Sequence, residues 1–468
     1  MKINMRRLVN LLVGPGLFAA AILLLPASVF ESDASRAAVG LVAWMAYWWV
    51  AAPVDYAVTA FLPIIVNAFL PMADMGKVIQ NYSCETILLL LGASIITVSW
   101  EETGVDRRIA AFFLRKIGSG LKGQIVFWYL LTTALSAVLP NAVVCATVTP
   151  IAVAMLKFAG EGDVGKSPIA SKLLLAIVYA AGVGGLATPL GGAMNLITVD
   201  YIQKLTGQEY MYVDWVVRLL PIMAVIIVSN LVFMLRDVKA GMEIGGSKEY
   251  FERESKAFPP MTFEEKAALA FFVIATMMAF TRQFYKELLP GLKPAYSFLL
   301  CAALSFLVTR RDGSRLMKWK MVQKKIVWEL IYIFAGGLAL GTLINASGAA
   351  AAIGKMVSGM GMQGGFLAVF VFVAVPLLIS DVTSNTATAA VTIPIVISVM
   401  QGIGQNPIPF IYVASIGVNL SYMLPTSIRA IPVGYGLSPK YMLREGWKVT
   451  IMELILLPIA AWLLIRFW

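Results

Sequence analysis

The chain has 468 residues, 59% of them hydrophobic and 13% charged, with a mean hydropathy of +0.81. This balance excludes a soluble globular domain and describes an all-α polytopic membrane protein. It has no histidine and three scattered cysteines (Cys84, Cys145, Cys301), which excludes His-based metal sites and proton relays, a CxxC centre and a disulfide framework. The net charge of +11 points to membrane topology rather than to nucleic acid, because of where the cations fall.

Lys2, Arg6 and Arg7 precede a first span at 8–25. The pattern has the outline of a signal peptide, but further spans follow at once and an uncleaved helix is expected. Spans are expected next at 37–51, 54–70 and 85–99. Residues 101–122, with Arg107, Arg108, Arg115, Lys116 and Lys122, read as a surface-lying helix. A hairpin is expected over 124–158, with Asn141 at its tip. The long apolar stretch 173–199 contains Gly182-Val183-Gly184-Gly185 and Gly191-Gly192-Ala193-Met194-Asn195. Glycines there predict an interrupted helix whose unwound backbone lines a cavity. A nucleotide loop is not supported, since no strand precedes the glycines and no GxxxxGK[ST] follows. The span 213–235 closes the first half.

A polar connector (236–266) leads to spans at 267–281 and 295–309. The basic run Arg310-Arg311, Arg315, Lys318, Lys320, Lys324-Lys325 reads as a cytoplasmic loop under the positive-inside rule. The second half then follows the order of the first: a span at 326–344, a short surface helix at 349–363, a second hairpin at 365–400, an interrupted helix at 409–436 and a last span at 449–467. With the N-terminus inside, about 11 spans and two hairpins that do not cross, most of the 37 Lys and Arg fall on the inner side.

The second hairpin carries the most informative stretch, Ser380-Asp381-Val382-Thr383-Ser384-Asn385-Thr386. It is a polar knot between two apolar runs of about 15 residues, where a full crossing needs roughly 20. Ser384, Asn385 and Thr386 suit a helix N-cap, whose free N–H groups and positive dipole end favour an anion. A shift of 244 positions carries Ser136 onto Ser380, Val138 onto Val382, Asn141 onto Asn385, Pro150 onto Pro394, and Glu85 onto Glu329. Tyr179 and Tyr412 match at a shift of 233. This register predicts an inverted-repeat transporter, with its site at discontinuous helices near the midplane. Glu85 and Glu329, at matching span starts, read as interfacial and structural, and Trp44, Trp48 and Trp49 as interface or packing residues.

Ser384-Asn385-Thr386-Ala387-Thr388-Ala389-Ala390 with Pro394 resembles the Ser-Asn-Thr signature of the divalent anion/sodium symporters, carriers of succinate, citrate, malate and sulfate. The resemblance covers nearly the whole chain. It implies a homodimer in the membrane lipid, each protomer a scaffold and a transport domain moving by an elevator mechanism. The corresponding division here is 1–123 and 267–363 for scaffold, 124–235 and 364–468 for transport, with 236–266 as a cytoplasmic connector. It further implies a dicarboxylate between the hairpin tips, with sodium behind each tip. The substrate candidates carried over are Pro140, Asn141, Ser384, Asn385, Thr386, Ile428 and Arg429; the cation or coupling candidates are Ser136, Asn141, Gly191, Ser380, Asp381 and Asn385.

The sequence departs from the family at these positions. The first tip reads Pro140-Asn141-Ala142, without hydroxyls, and the Thr-Pro-Pro-Asn motifs appear as Gly192-Ala193-Met194-Asn195 and Ile428-Arg429-Ala430-Ile431. Hydroxyl and carbonyl oxygens suit sodium; their loss, and a fixed Arg beside the second tip, count against both sodium sites. Arg429 is an ionisable residue deep in an apolar stretch and hence a functional candidate. It either supplies the charge that sodium supplies in related carriers, grips a carboxylate directly, or pairs structurally with Asp381. Asp381 is alternatively a carrier of the coupling proton.

The expected function is secondary transport of a small di-anion, most simply a C4 or C5 dicarboxylate, leaning to sodium-independent exchange. Sodium- or proton-coupled symport of a dicarboxylate or sulfate is the alternative. An intramembrane enzyme is disfavoured by the absence of histidine and of HExxH, and a channel would show fixed conductance instead of counterflow. No cofactor and no nucleic-acid partner is expected. The expected location is a prokaryotic plasma (inner) membrane, multi-pass, with the N-terminus cytoplasmic.

Overall fold

A computed structural model describes residues 5–114, 118–239, 241–257, 259–310, 312–359 and 364–468. Lys2, Arg115, Lys116, Arg311 and the end of the second expected surface helix (360–363) lie outside the described residues. The first half opens with α1 (Met5–Leu24) and α2 (Asp33–Ala51), which pack where Gly40 meets the backbone of Phe18. The expected span 54–70 is broken into α3 (Tyr56–Thr59) and α4 (Leu62–Phe69), followed by α5 (Met75–Gln80). Pro63 causes the break, since it has no N–H for the Thr59 carbonyl. The Asn67 side chain then turns the chain by accepting from the Met72 and Ala73 amides at 2.8 and 3.0 Å.

There follow α6 (Glu85–Thr103), the surface helix α7 (Val105–Leu114), α8 (Leu121–Ser136) and α9 (Asn141–Phe158). The expected interrupted helix is present as α10 (Pro168–Gly185), a 3₁₀ turn (Pro189–Gly191) and α11 (Ala193–Thr206); α12 (Tyr212–Leu235) closes the half. The connector holds α13 (Ser247–Ala257). Next come α14 (Phe263–Phe280), α15 (Arg282–Tyr285), α16 (Pro294–Ser305), α17 (Trp319–Lys325), α18 (Trp328–Ala346) and α19 (Ala349–Gly359). The chain ends with α20 (Phe366–Val382), α21 (Asn385–Gly402), α22 (Pro407–Asn419), α23 (Ala430–Gly434) and α24 (Pro439–Leu464). Among the described residues the only β-structure is two isolated bridges.

Seven described helical stretches are long and apolar enough to cross a membrane, and four shorter apolar ones accompany them. The chain is therefore an all-α, multi-pass membrane protein. The arms of the second hairpin are longer than expected, 17 and 18 residues instead of about 15. At a rise of 1.5 Å per residue the longer arm reaches about 27 Å, so length alone does not distinguish it from a crossing helix. Helices α10, α18, α21 and α22 are buried nearly all round and form the centre. By contrast, α12 and α24 keep exposed apolar rows (Val217, Val228 and Val232; Trp447, Ile455 and Leu463) that lipid would cover.

The arm α8 packs on α10, and α20 packs on α22. Each contact closes on a glycine. A Cβ on Gly184 would lie 2.4 Å from the Thr133 carbonyl oxygen, and one on Gly417 2.3 Å from that of Val373. These glycines obey the same shift of 233 as Tyr179 and Tyr412. Gly417→Val should lower the unfolding temperature of the detergent-purified protein by several degrees, since overpacking costs about 1–3 kcal/mol. An unchanged melting curve would mean that α20 and α22 part freely.

Ion pairs and ladders between distant segments join stretches that the cation count assigns to one side. Among segments that count assigns to the inner side, Lys325 meets Glu101 and Glu102 at 3.3 and 2.8 Å, Arg236 meets Glu445 at 2.6 Å, and the Leu121 amide donates to the Met242 carbonyl. Among segments it assigns to the outer side, Lys293 meets Glu85 at 2.9 Å, and Arg282 holds Glu209 through two bonds of 2.7 and 3.1 Å. Glu85 also accepts from Tyr296 at 3.1 Å, and Glu329 accepts from the Tyr56 amide at 3.2 Å, both structural roles.

Candidate functional site

The second hairpin turns at Thr383, whose hydroxyl donates to the Trp49 carbonyl at 3.1 Å. Ser384 is the N-cap of α21, its hydroxyl accepting from the Ala387 amide at 3.1 Å. A cap of this kind stabilises a helix by about 1 kcal/mol. The Asn385 and Thr386 amides at the first helical positions have no intrahelical acceptor. Both residues are buried, and Asn385 Oδ1 has no partner. Hydroxyls farther along α21 are satisfied within the helix, Thr392 donating to the Thr388 carbonyl and Ser398 to that of Pro394, each at 2.7 Å.

The two tips are linked through the interrupted helices. Asn385 donates to the Asn419 carbonyl at 3.0 Å, and Asn419 donates to Asn195 Oδ1 at 2.8 Å. Asn195 in turn donates to the carbonyls of Gly185 and Thr188 at 2.6 and 2.8 Å. Gly185 faces the first tip, where Asn141 Nδ2 lies 3.4 Å from the place of a Cβ on that glycine. Asn141 opens α9 behind Pro140, which as N-cap offers no side-chain bond. The Thr188 hydroxyl ties the Ala137 carbonyl of the first turn at 2.5 Å.

Arg429 is almost fully buried, at 1% exposure. Its Nε donates to the Leu424 carbonyl at 2.5 Å, and its Nη2 to Thr426 Oγ1 at 2.6 Å and to the carbonyls of Ser380 and Asp381 at 3.1 and 3.2 Å. The guanidinium thus sits in a cage of neutral oxygens behind the second tip, with Nη1 unpartnered. Its approach to the Asp381 carboxylate is loose, 3.9 Å. That carboxylate accepts from the Tyr422 and Met423 amides, each at 2.8 Å, and its Oδ2 is unpartnered. The turn Ser427–Arg429 that presents Arg429 is backbone-strained, since Ser427 has φ 52°. Ile428 is buried in the same turn, its carbonyl facing Cys145 Sγ of α9 at 3.6 Å.

These contacts test the residues for sodium. Around the second tip, the Ser380 and Asp381 carbonyls and the Thr426 hydroxyl already hold a fixed cation. Ser380 Oγ donates to the Val418 carbonyl at 2.9 Å, and Ser136 Oγ to that of Ala181 at 2.7 Å. Gly191 packs on the Gly185 carbonyl, and the first tip has no hydroxyl. The fixed cation thus takes up part of the oxygen set at the second tip, where Asp381 Oδ2 and Asn385 Oδ1 stay unpartnered, and the first tip offers no side-chain hydroxyl. Among the described residues no group of three or more Cys, Asp or Glu side chains is placed to hold a metal ion.

A cavity of about 790 Å³ runs beside the first hairpin. Its lining includes Ala142, Val143, Thr147 and Ile431 together with the charged Glu101, Arg107 and Lys325. None of the substrate candidates lines it, although Ala142 adjoins the first tip. Arg282 and Glu209, neither of which lines the cavity, close against each other, and Arg282 also donates to the Leu289 and Pro290 carbonyls. Sequence reasoning missed Asn419, Thr188, the Arg282–Glu209 pair and Glu453. Glu453 is fully buried and accepts from Ser229 Oγ at 2.7 Å, with Oε2 unpartnered. An acid inside the expected last span was the available signal for it.

A family model described as citrate transporter matches residues 45–417. The sodium-dependent dicarboxylate transporter SdcS of Staphylococcus saprophyticus is 27% identical over 99% of this chain and 92% of its own length. SdcS of Staphylococcus aureus is 26% identical over 96% of this chain and 90% of its own length. Among solved structures, the YdaH transporter of Alcanivorax borkumensis superposes with TM-score 0.54 at 11% identity, covering 86% of this chain and 89% of that one. MtrF of Neisseria gonorrhoeae, described with a class of antimetabolite efflux pumps, superposes with TM-score 0.53 at 14% identity, covering 86% and 84%. Both likenesses concern the fold alone.

Proposed function

The chain belongs to the citrate transporter family, among the divalent anion/sodium symporters, and from that premise we propose that it exchanges C4 or C5 dicarboxylates across a prokaryotic plasma membrane without sodium. It is a secondary transporter of small anions; the exchange mode, substrate size and elevator motion are the proposal. The observation that carries it is the oxygen cage around Arg429. A di-anion held at the hairpin tips needs positive charge behind it. Here the cation is covalently tethered and stays in the protein at every turnover. A carrier whose cation is tethered has no co-transported ion to release before an empty return, and this reading favours return with a second di-anion.

The proposed substrate position lies between Asn141 and Ser384-Asn385-Thr386, beside the Asn195–Asn419 link. The amide end of α21 supplies N–H donors and partial positive charge to a carboxylate. Residues 124–235 and 364–468 form the moving body, residues 1–123 and 267–363 the fixed one, in a homodimer. The matched glycine contacts at Gly184 and Gly417 support an inverted repeat with two re-entrant hairpins. The Arg282–Glu209 pair joins the proposed fixed and moving bodies on the side opposite the large cavity, as a carrier open to the inside requires. The N-terminus is cytoplasmic in this reading.

The test is uptake of labelled succinate or 2-oxoglutarate into proteoliposomes, with and without internal unlabelled dicarboxylate, each with and without external sodium. Uptake that requires internal dicarboxylate and ignores sodium is expected. Uptake into empty vesicles driven by sodium or by a proton gradient would overturn exchange. It would favour symport, for which the unpartnered Asp381 Oδ2 and the sodium dependence in the name of SdcS are the supporting observations.

A further inference from the structure

On the inner side, away from the hairpin tips, a cavity of about 210 Å³ opens between the first turns of α10 and α24, the last turn of α12 and the 236–242 segment. Part of its lining is apolar, with Leu121, Ile169, Leu175, Phe233 and Met234. The charged part of the lining has three cations, Lys172, Arg236 and Arg444, and two carboxylates, Asp237 and Glu445. We propose that this crevice binds the phosphodiester head group of an anionic phospholipid from the cytoplasmic leaflet, with the start of an acyl chain along the apolar lining.

The charges leave room for an anion. Arg236 donates to Asp237 at 3.0 Å and to Glu445 at 2.6 Å, and Glu445 also takes Arg444 at 3.1 Å and Lys448 at 3.3 Å. Four cations therefore face two carboxylates. Arg236 holds the Asp237 carboxyl below the usual carboxylate range, and with both carboxylates counted as charged the cluster still carries two more cations than anions. Lys172 is the cation with least compensation. Its side chain is 15% exposed, and its nearest carboxylate oxygen, from Asp237, is 3.9 Å away. A largely buried ammonium without a close partner is unfavourable unless something else neutralises it. Arg236 is already fixed in place, lying over the Phe233 ring at 3.8 Å.

Lipid is the better source of the phosphate for two reasons. The crevice adjoins the exposed apolar rows of α12 (Val228, Val232) and α24 (Leu443, Trp447, Ile451), which put it at the bilayer edge. A free anion would also have no use for the apolar part of the lining. Basic pockets between helices on the cytoplasmic side are the setting in which such head groups bind. The bound lipid would bridge α10 and α12 to α24, elements from the two halves of the chain.

The test uses the full-length protein in detergent, independently of any transport assay. Native mass spectrometry and thermal unfolding are followed with phosphatidylglycerol, with phosphatidylcholine of the same chains, and with inorganic phosphate. Retention and stabilisation are expected with phosphatidylglycerol above phosphatidylcholine, and not with phosphate. Each of Lys172→Gln and Arg444→Gln should weaken retention about fivefold, while melting in lipid-free detergent stays near wild type. Equal retention of the two lipids, or an undiminished preference in both variants, overturns the site. An equal shift with inorganic phosphate assigns it to a soluble anion and overturns the lipid. If one variant fails to fold, the other and the wild-type lipid comparison still decide.

Discussion

Arg429→Ala should abolish exchange, to below about 1% of wild type in the counterflow assay. The guanidinium, almost fully buried, donates to three carbonyls and one hydroxyl. Alanine leaves those oxygens, and the Asp381 carboxylate, without a cation. Breaking a buried charged arrangement by removing one member costs about 3–5 kcal/mol, and every 1.4 kcal/mol is about tenfold in an equilibrium. The loss concerns the second tip directly, because Ser380 and Asp381 belong to the last turn of α20, just before Ser384. Arg429→Lys separates charge from shape: its ammonium keeps the charge and loses the planar fork, so partial activity is expected. Any uptake regained by Arg429→Ala should depend on an added alkali cation, which would take the vacated oxygens. Full activity of Arg429→Ala without such a cation would refute the tethered-charge reading, whatever the substrate.

Asn385→Asp is the second large effect. The substitution is nearly isosteric, so packing at this buried position changes little. It puts a negative charge at the N-terminus of α21, where the substrate carboxylate is proposed to sit. At an effective dielectric near 20, two unit charges 4 Å apart repel by about 4 kcal/mol, and a di-anion meets that repulsion more than once. The carboxylate also cannot donate to the Asn419 carbonyl, so the link between tip and interrupted helix is lost. KM for dicarboxylate should rise at least about a hundredfold. Asn385→Ser, neutral and still polar, should raise it far less. A KM for Asn385→Asp within about twofold of wild type would move the substrate away from the second tip.

Much of this molecule is legible in one dimension. The membrane class, the interrupted helices and the Ser384 cap follow from local rules: a run of apolar residues needs lipid or a core, a glycine cluster weakens a helix, and a serine before a helix accepts from its free amides. Arg429 was visible as a candidate because a charge inside an apolar stretch is rare. What it does was open, since gripping substrate, pairing with Asp381 and replacing a cation make the same demand on sequence. Tertiary structure brings the carbonyls of α20 to the guanidinium and leaves the Asp381 carboxylate at 3.9 Å, and the cation-replacing role proposed above rests on that arrangement. The Asn195–Asn419 bond and the Arg282–Glu209 pair join residues far apart in the chain, with no periodic pattern to announce them. The break at Pro63 shows the converse limit. Hydropathy averages over a window and passes through one missing N–H, whereas the backbone cannot. Composition and local spacing thus determined that the chain is a membrane protein with broken helices, and the resemblance at Ser384-Asn385-Thr386 pointed to a carrier. Which oxygens surround which charge was decided only by packing, because hydrogen bonds are short-ranged and depend on where the whole fold carries each group.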